Sequence, residues 1–304
     1  MNYTTNKNNL LPSAQKSSGF AFSIAAVLPV LLSFIFLLTI SVLGLTANEN
    51  YKTQDWYLYA NYLLPQIAFV AVTVFYFFYT KKSFKQTLRT QVCKPKYFVL
   101  ALLMQVGLFS LSQLNGWFLE WLEQFGYQDS GMLLPSMDGF GFVGVFLVVV
   151  VLASVLEEII FRGILLNGLK ELSIPAAAIF CGGLFALYHQ NPAQTLYQFA
   201  CGMAFAFIAL RAGSVLPTIL SHFLNNAVVL LLVKYNMTEF TPTVNTIVIS
   251  VSLACLVGAI VWLVLEREKT QSKPKKSLRE FFLYAAVGMA LCAFTWFAVL
   301  FMGL

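Results

Sequence analysis

Six polar residues standing in otherwise apolar surroundings are the chemically informative part of this chain. Glu157, Glu158 and Arg162 lie in Leu156-Glu157-Glu158-Ile159-Ile160-Phe161-Arg162, His189 closes Phe185-Ala186-Leu187-Tyr188-His189, and His222 and Asn226 bracket His222-Phe223-Leu224-Asn225-Asn226. His189 and His222 are the complete histidine inventory. A carboxylate whose proton affinity is raised by burial can act as general base on a water. One imidazole can orient that water, and a second imidazole with an amide can donate to a developing oxyanion. On this reading Glu157 and His189 activate water while His222 and Asn226 stabilise the oxyanion, which is the equipment for hydrolysing an amide or ester. The same side chains fit a second scheme, a catalytic zinc held by Glu157, His189 and His222 with an open position for water. HExxH is absent, the three ligands would come from separate helices, and no GxSxG marks a serine nucleophile.

Helix geometry assigns different roles to the two adjacent glutamates. Glu158 and Arg162 are four residues apart with the acid first, the favourable orientation for an ion pair. Glu157 is five residues from Arg162, about 140° around a 3.6-residue helix, and cannot share that contact. Glu158 and Arg162 therefore read as structural support, and Glu157 as a carboxylate with no local counter-charge. The competing arrangement, in which all three snorkel to the interface, conflicts with depth. Glu157 lies roughly 19 Å above the interface marked by Lys170, counting 1.5 Å per residue. By the same count His189 lies about 22 Å, Asn226 about 18 Å and His222 about 12 Å from that side. Such residues at depth cost at least about 2.5–3.5 kcal/mol each when charged, and usually serve a function or a partner.

The elements that must position these residues follow from composition. Of 304 residues 59% are hydrophobic and only 11% charged, against about 25% charged in a soluble domain. Apolar runs of bilayer-spanning length recur from end to end. They are continuous rather than alternating, so the expected fold is an all-α polytopic membrane protein of about eight or nine helices. Candidate spans are 19–45, 57–80, 97–122, 141–169, 174–191, 193–210, 214–233, 244–265 and 281–303. The fifth and sixth form a hairpin about Gln190-Asn191-Pro192, and Ala178, Gly182 and Ala186 make a small-residue stripe for close packing on the fifth. The expected organisation is a polar tail over 1–18, N-terminal spans over 19–140, a chemical core over 141–233 and C-terminal spans over 234–304.

The net charge of +6 arises from 19 basic and 13 acidic residues. Basic residues cluster in short loops beside spans, which encodes orientation, and no aromatic-basic interleave points to nucleic acid. With the N-terminus in the cytoplasm, sixteen Lys and Arg fall inside, Lys52 and Lys234 outside, and Arg162 within a span. The expected orientation is thus N-in and C-out. Five scattered cysteines without a CxxC read as apolar filler.

The three motifs, Glu157-Glu158-x-x-x-Arg162, Phe185-x-x-x-His189 and His222-x-x-x-Asn226, in this order over residues 140–233, resemble the CPBP family. That family comprises the type II CAAX prenyl proteases and the bacteriocin-processing or immunity-associated Abi enzymes. The resemblance implies an intramembrane endopeptidase of eight or so helices, in which Glu157 and His189 activate water and His222 and Asn226 form the oxyanion hole. Glu158 and Arg162 fill the remaining motif positions. The family is often labelled metalloprotease, yet these residues equally support a metal-free glutamate mechanism, so the cofactor is either none or zinc, with none favoured. The expected partners are the lipid bilayer and a peptide or membrane-protein substrate, and the expected location is a bacterial plasma membrane. Two other readings stay open: a non-catalytic scaffold or regulator that keeps the motif, and a proton-coupled transporter. The transporter expects broken helices in two related halves, whereas here the polar residues occupy one block.

Overall fold

The structure, a computed structural model, describes residues 12–129, 131–237, 239–266 and 277–302. Among these every regular element is a helix. Apart from two short 3-10 turns at Leu45–Ala47 and Glu49–Thr53, in chain order they are α1 (Ala14–Val42), α2 (Asp55–Thr80), the short α3 (Phe84–Leu88), α4 (Lys96–Glu123), α5 (Phe140–Gly168), α6 (Ile174–Tyr188), α7 (Pro192–Ala212), α8 (Leu216–Lys234), α9 (Pro242–Leu265) and α10 (Arg279–Met302). Eight of them are long and apolar enough to cross a membrane. The exception among the nine expected spans is α6, whose 15 residues reach only about 22 Å, short of a hydrocarbon core of about 30 Å. α1 starts at Ala14, earlier than expected, because Ser13 caps it by accepting from Lys16 N. The rest of the polar tail and the basic run 267–276 lie outside the described residues.

Loop contacts define two ends of the bundle. At one end Lys96 pairs with Glu266, Arg211 donates to the Glu266 carbonyl, Gln91 reaches the Gly213 carbonyl and Ser13 donates to Glu280. At the other, Asp55 accepts from Ser136 N, Tyr62 donates to the Leu133 carbonyl, Tyr127 bonds Asn191 and Lys234 donates to the Met137 carbonyl. The described basic loop 81–96, with Lys170, Arg211 and Arg279, falls at the first end.

Close approach of backbones holds the helices that carry the polar set. A Cβ on Gly182 of α6 would meet Met203 N and Phe199 O of α7 at 2.8 Å, and one on Gly202 would meet the Gly182 Cα at 2.8 Å. The small-residue stripe is thus the α6–α7 seam. Asn191 stabilises the hairpin by accepting from Ala193 N, while Gln190 takes a left-handed conformation with φ 52°.

α5 is not a uniform α-helix. It winds as π-helix over Phe146–Leu152 and Ile159–Leu165, with α-helical Ala153–Glu158 between. π turns inside helices are rare and concentrate at functional sites. Here they flank the turn that presents Glu157 and Glu158.

Candidate active site

Glu158 and Arg162 form an ion pair of 2.8 Å, and both side chains are 0% exposed. The pair spacing anticipated for an α-helix survives the π turn. Arg162 is further boxed by the faces of Phe185 at 4.4 Å and Phe205 at 5.3 Å, where a guanidinium gains cation–π attraction. Its Nη2 lies 3.5 Å from the Gly202 carbonyl, so the α6–α7 seam also seats this cation.

His222 on α8 converts the pair into a triad. Its Nδ1 lies 3.0 Å from Glu158 Oε1. A carboxylate only accepts, so Nδ1 carries the proton of this bond. The opposite ring nitrogen, Nε2, faces Glu157 Oε2 at 3.7 Å, beyond hydrogen-bond length. Glu157 Oε2 is buried and has no hydrogen-bond partner among the described residues. Glu158 thus contacts Arg162 and His222 together rather than Arg162 alone, and Glu157 makes no ion pair with Arg162 among the described residues.

His189 caps the C-terminus of α6, and its Nδ1 lies 2.8 Å from the Phe185 carbonyl. The carbonyl can only accept, which leaves Nε2 of the neutral ring with its lone pair free. The Phe185 ring touches both imidazoles, at 4.6 Å from His189 and 6.0 Å from His222. The histidines thus flank one aromatic side chain, although His189 makes no hydrogen bond to Glu157, His222 or Asn226 among the described residues.

Asn226 donates to the Val149 carbonyl at 3.1 Å, within the first π segment. An amide nitrogen has two N–H groups, so this bond leaves a second donor. Asn226 Oδ1 accepts from Asn225 Nδ2 at 3.1 Å, which fixes which way the amide faces. Asn225 Oδ1 in turn accepts from Gln105 at 2.8 Å and from Tyr197 OH at 2.7 Å. Asn225, Gln105 and Tyr197 were not singled out from the sequence. An amide inside an apolar span needs a hydrogen-bond partner, and that requirement alone marks Gln105 and Asn225.

Glu157 and Asn226 line one cavity of about 330 Å³, together with Gln66, Gln198, Tyr197 and Asn225. Its wall is mixed: Val148, Val149 and Ala153 are apolar, while amides and phenols provide donors and acceptors. Among the described residues no three of His, Cys, Asp and Glu are grouped to hold an ion, although an imidazole whose Nδ1 is engaged by a carbonyl or carboxylate, as in both histidines, keeps the Nε2 that a metal would use.

Residues 139–228 match a family described as type II CAAX prenyl endopeptidase Rce1-like. The matched segment contains all six motif residues and agrees with the family that the three motifs resemble. The matched family is one of prenyl endopeptidases, and the match spans less than a third of the chain. Neither the curated proteins nor the solved structures contain a match to this chain.

Proposed function

With residues 139–228 carrying the Rce1-like type II CAAX prenyl endopeptidase family as premise, we propose that the chain is an intramembrane endopeptidase that uses Glu157 as its base. The observation that carries this reading is the buried Glu157 Oε2, without a partner, facing His222 Nε2 across 3.7 Å while Glu158 holds the far side of the same imidazole.

In the proposed reaction Glu157 takes a proton from a water as the water oxygen bonds to the scissile carbonyl carbon. The carbonyl π pair moves to oxygen, and the resulting oxyanion accepts from the Nε2–H of a His222 imidazolium and from the free N–H of Asn226. Nδ1–H of His222 stays on Glu158, so the Glu158–Arg162 pair sets the ring orientation. His189 Nε2 accepts a hydrogen bond from the second O–H of the attacking water, which keeps that proton, and aligns the water's lone pair. As the tetrahedral intermediate collapses, the C–N bond breaks and the protonated Glu157 gives its proton to the leaving amine. No step is routed through a metal ion.

Purified chain reconstituted in liposomes and offered a library of quenched fluorescent peptides tests the reading. Wild type is expected to cleave members of the library and Glu157→Gln none. Equal cleavage by the two would refute the assignment of the base.

A further inference from the structure

The cavity that contains Glu157 extends toward one end of the bundle. Its outer lining is Met132, from the loop joining α4 to α5, and Gln194, at the start of α7; Met132 is 46% exposed. Tyr62, which also lines it, donates to the Leu133 carbonyl and so ties the loop to the rim. In the other direction the way is filled. Ile160, Phe161, Ile164 and Leu165 are fully buried below Glu157, and Leu88 of α3 packs so close to Gly163 that a Cβ there would meet its Cδ2 at 2.5 Å. The completely buried Glu158–Arg162 pair lies on that same closed side.

Charge identifies the two ends. Among the described residues the closed end carries Lys16, the cluster Lys81, Lys82, Lys85, Arg89, Lys94 and Lys96, and Lys170, Arg211 and Arg279, whereas the cavity end carries Lys52 and Lys234. Short loops rich in Lys and Arg stay in the cytoplasm. This assignment does not depend on whether α6 crosses fully, because the α6–α7 hairpin starts and finishes at the same end. We propose that the site is entered from the extracytoplasmic face, and that its substrate is a polypeptide segment exposed on, or dipping in from, that face, not a cytoplasmic C-terminal tail. The cavity wall narrows the class further. Gln66, Gln194, Gln198, Tyr197 and Asn225 offer neutral donors and acceptors that match peptide N–H and C=O groups. A charged side chain beside the scissile bond would find no counter-charge there other than Glu157 itself, and burying an unpaired charge is costly.

The inference rests on the peptidase reading for its substrate, but its test needs no substrate. Cells of a bacterial host that express single-cysteine additions, Met132→Cys, Gln194→Cys or Gln86→Cys, are treated with a membrane-impermeant thiol reagent, and the modified residue is identified by peptide mass, so the five native cysteines stay in place. Met132→Cys and Gln194→Cys are expected to react in intact cells, and Gln86→Cys, at the basic end, only after permeabilisation. Asp129→Cys reads the same loop should Met132→Cys fail to accumulate. Reaction of Gln86→Cys in intact cells, or of the two cavity positions only after permeabilisation, would overturn the proposal. Either result leaves the role of Glu157 to be judged separately by peptide cleavage.

Discussion

His222 Nδ1 lies 3.0 Å from Glu158 Oε1, the same oxygen that faces Arg162 Nη1 at 2.8 Å. One carboxylate oxygen thereby couples a completely buried ion pair to an imidazole whose other nitrogen faces Glu157. The pair does two things at once: it neutralises itself at depth, and it fixes the plane and tautomer of His222. Stability and positioning can therefore be separated by choosing which partner to remove.

Glu158→Gln is expected to strand Arg162 without a counter-charge, and breaking a buried pair in this way costs about 3–5 kcal/mol. Accumulation in the membrane and unfolding temperature in detergent should both fall. Replacing the pair together, Glu158→Leu with Arg162→Met, should restore much of that stability while leaving His222 without its anchor. The double variant is thus expected to fold and to cleave poorly; full activity would show that Glu158 does not position His222.

The amide chain behind Asn226 should respond in graded fashion. Losing one oxyanion donor typically costs about 10²–10³ in rate, so Asn226→Ala should retain slight activity. Asn225→Ala removes the contact that orients Asn226, together with the bonds Asn225 accepts from Gln105 and Tyr197, but no group that meets the oxyanion, and should cost less, mainly in kcat. A larger loss for Asn225→Ala than for Asn226→Ala would contradict the proposed order of roles.

Much of this arrangement was legible in the sequence because it depends on helix periodicity and depth. Glu158 and Arg162 had to meet at i, i+4, and Ala178, Gly182 and Ala186 had to face a close neighbour. The π turns of α5 were not legible: Phe146–Leu152 is a run of Val, Leu and Phe that reads equally as α-helix. Nor was the coupling of His222 to Glu158, since register between α5 and α8 is set by packing that no local pattern encodes. The length of α6 was overestimated because the stretch on to Asn191 carries no charged residue to end it, while the backbone turns at Gln190. Gln105 and Tyr197 escaped notice because their spans carry no motif, although a buried amide always demands a partner.

At the basic end, Glu266 offers a pH test free of the catalytic question. Burial pushes its carboxyl upward, but the hydrogen bond from Lys96, with help from Tyr97 and Trp262, outweighs this and holds it below its ordinary value of 4.5. The unfolded chain then binds a proton more readily than the folded one, so this contribution is full above about pH 4.5 and is lost as pH falls through the depressed folded value. Unfolding temperature measured on either side of that range should fall less steeply in Glu266→Gln than in wild type. Parallel curves would remove Glu266 from the acid response.

Metal dependence separates the two hydrolytic schemes. A zinc held by Glu157, His189 and His222 would require near-stoichiometric metal, lost in His222→Ala. The metal-free account expects purified chain to remain active in strong chelator and elemental analysis to find no zinc that tracks His222. One zinc per chain, with activity that disappears on chelation and returns on zinc addition, would replace the glutamate scheme.

The central claim, that Glu157 makes this chain a peptidase, is tested most directly by mapping new protein N-termini. Membrane and exported proteins from cells expressing wild type are compared with those expressing Glu157→Gln at equal accumulation. The account predicts a set of internal cleavage sites present with wild type and absent with Glu157→Gln. Identical sets of termini in the two strains would contradict it.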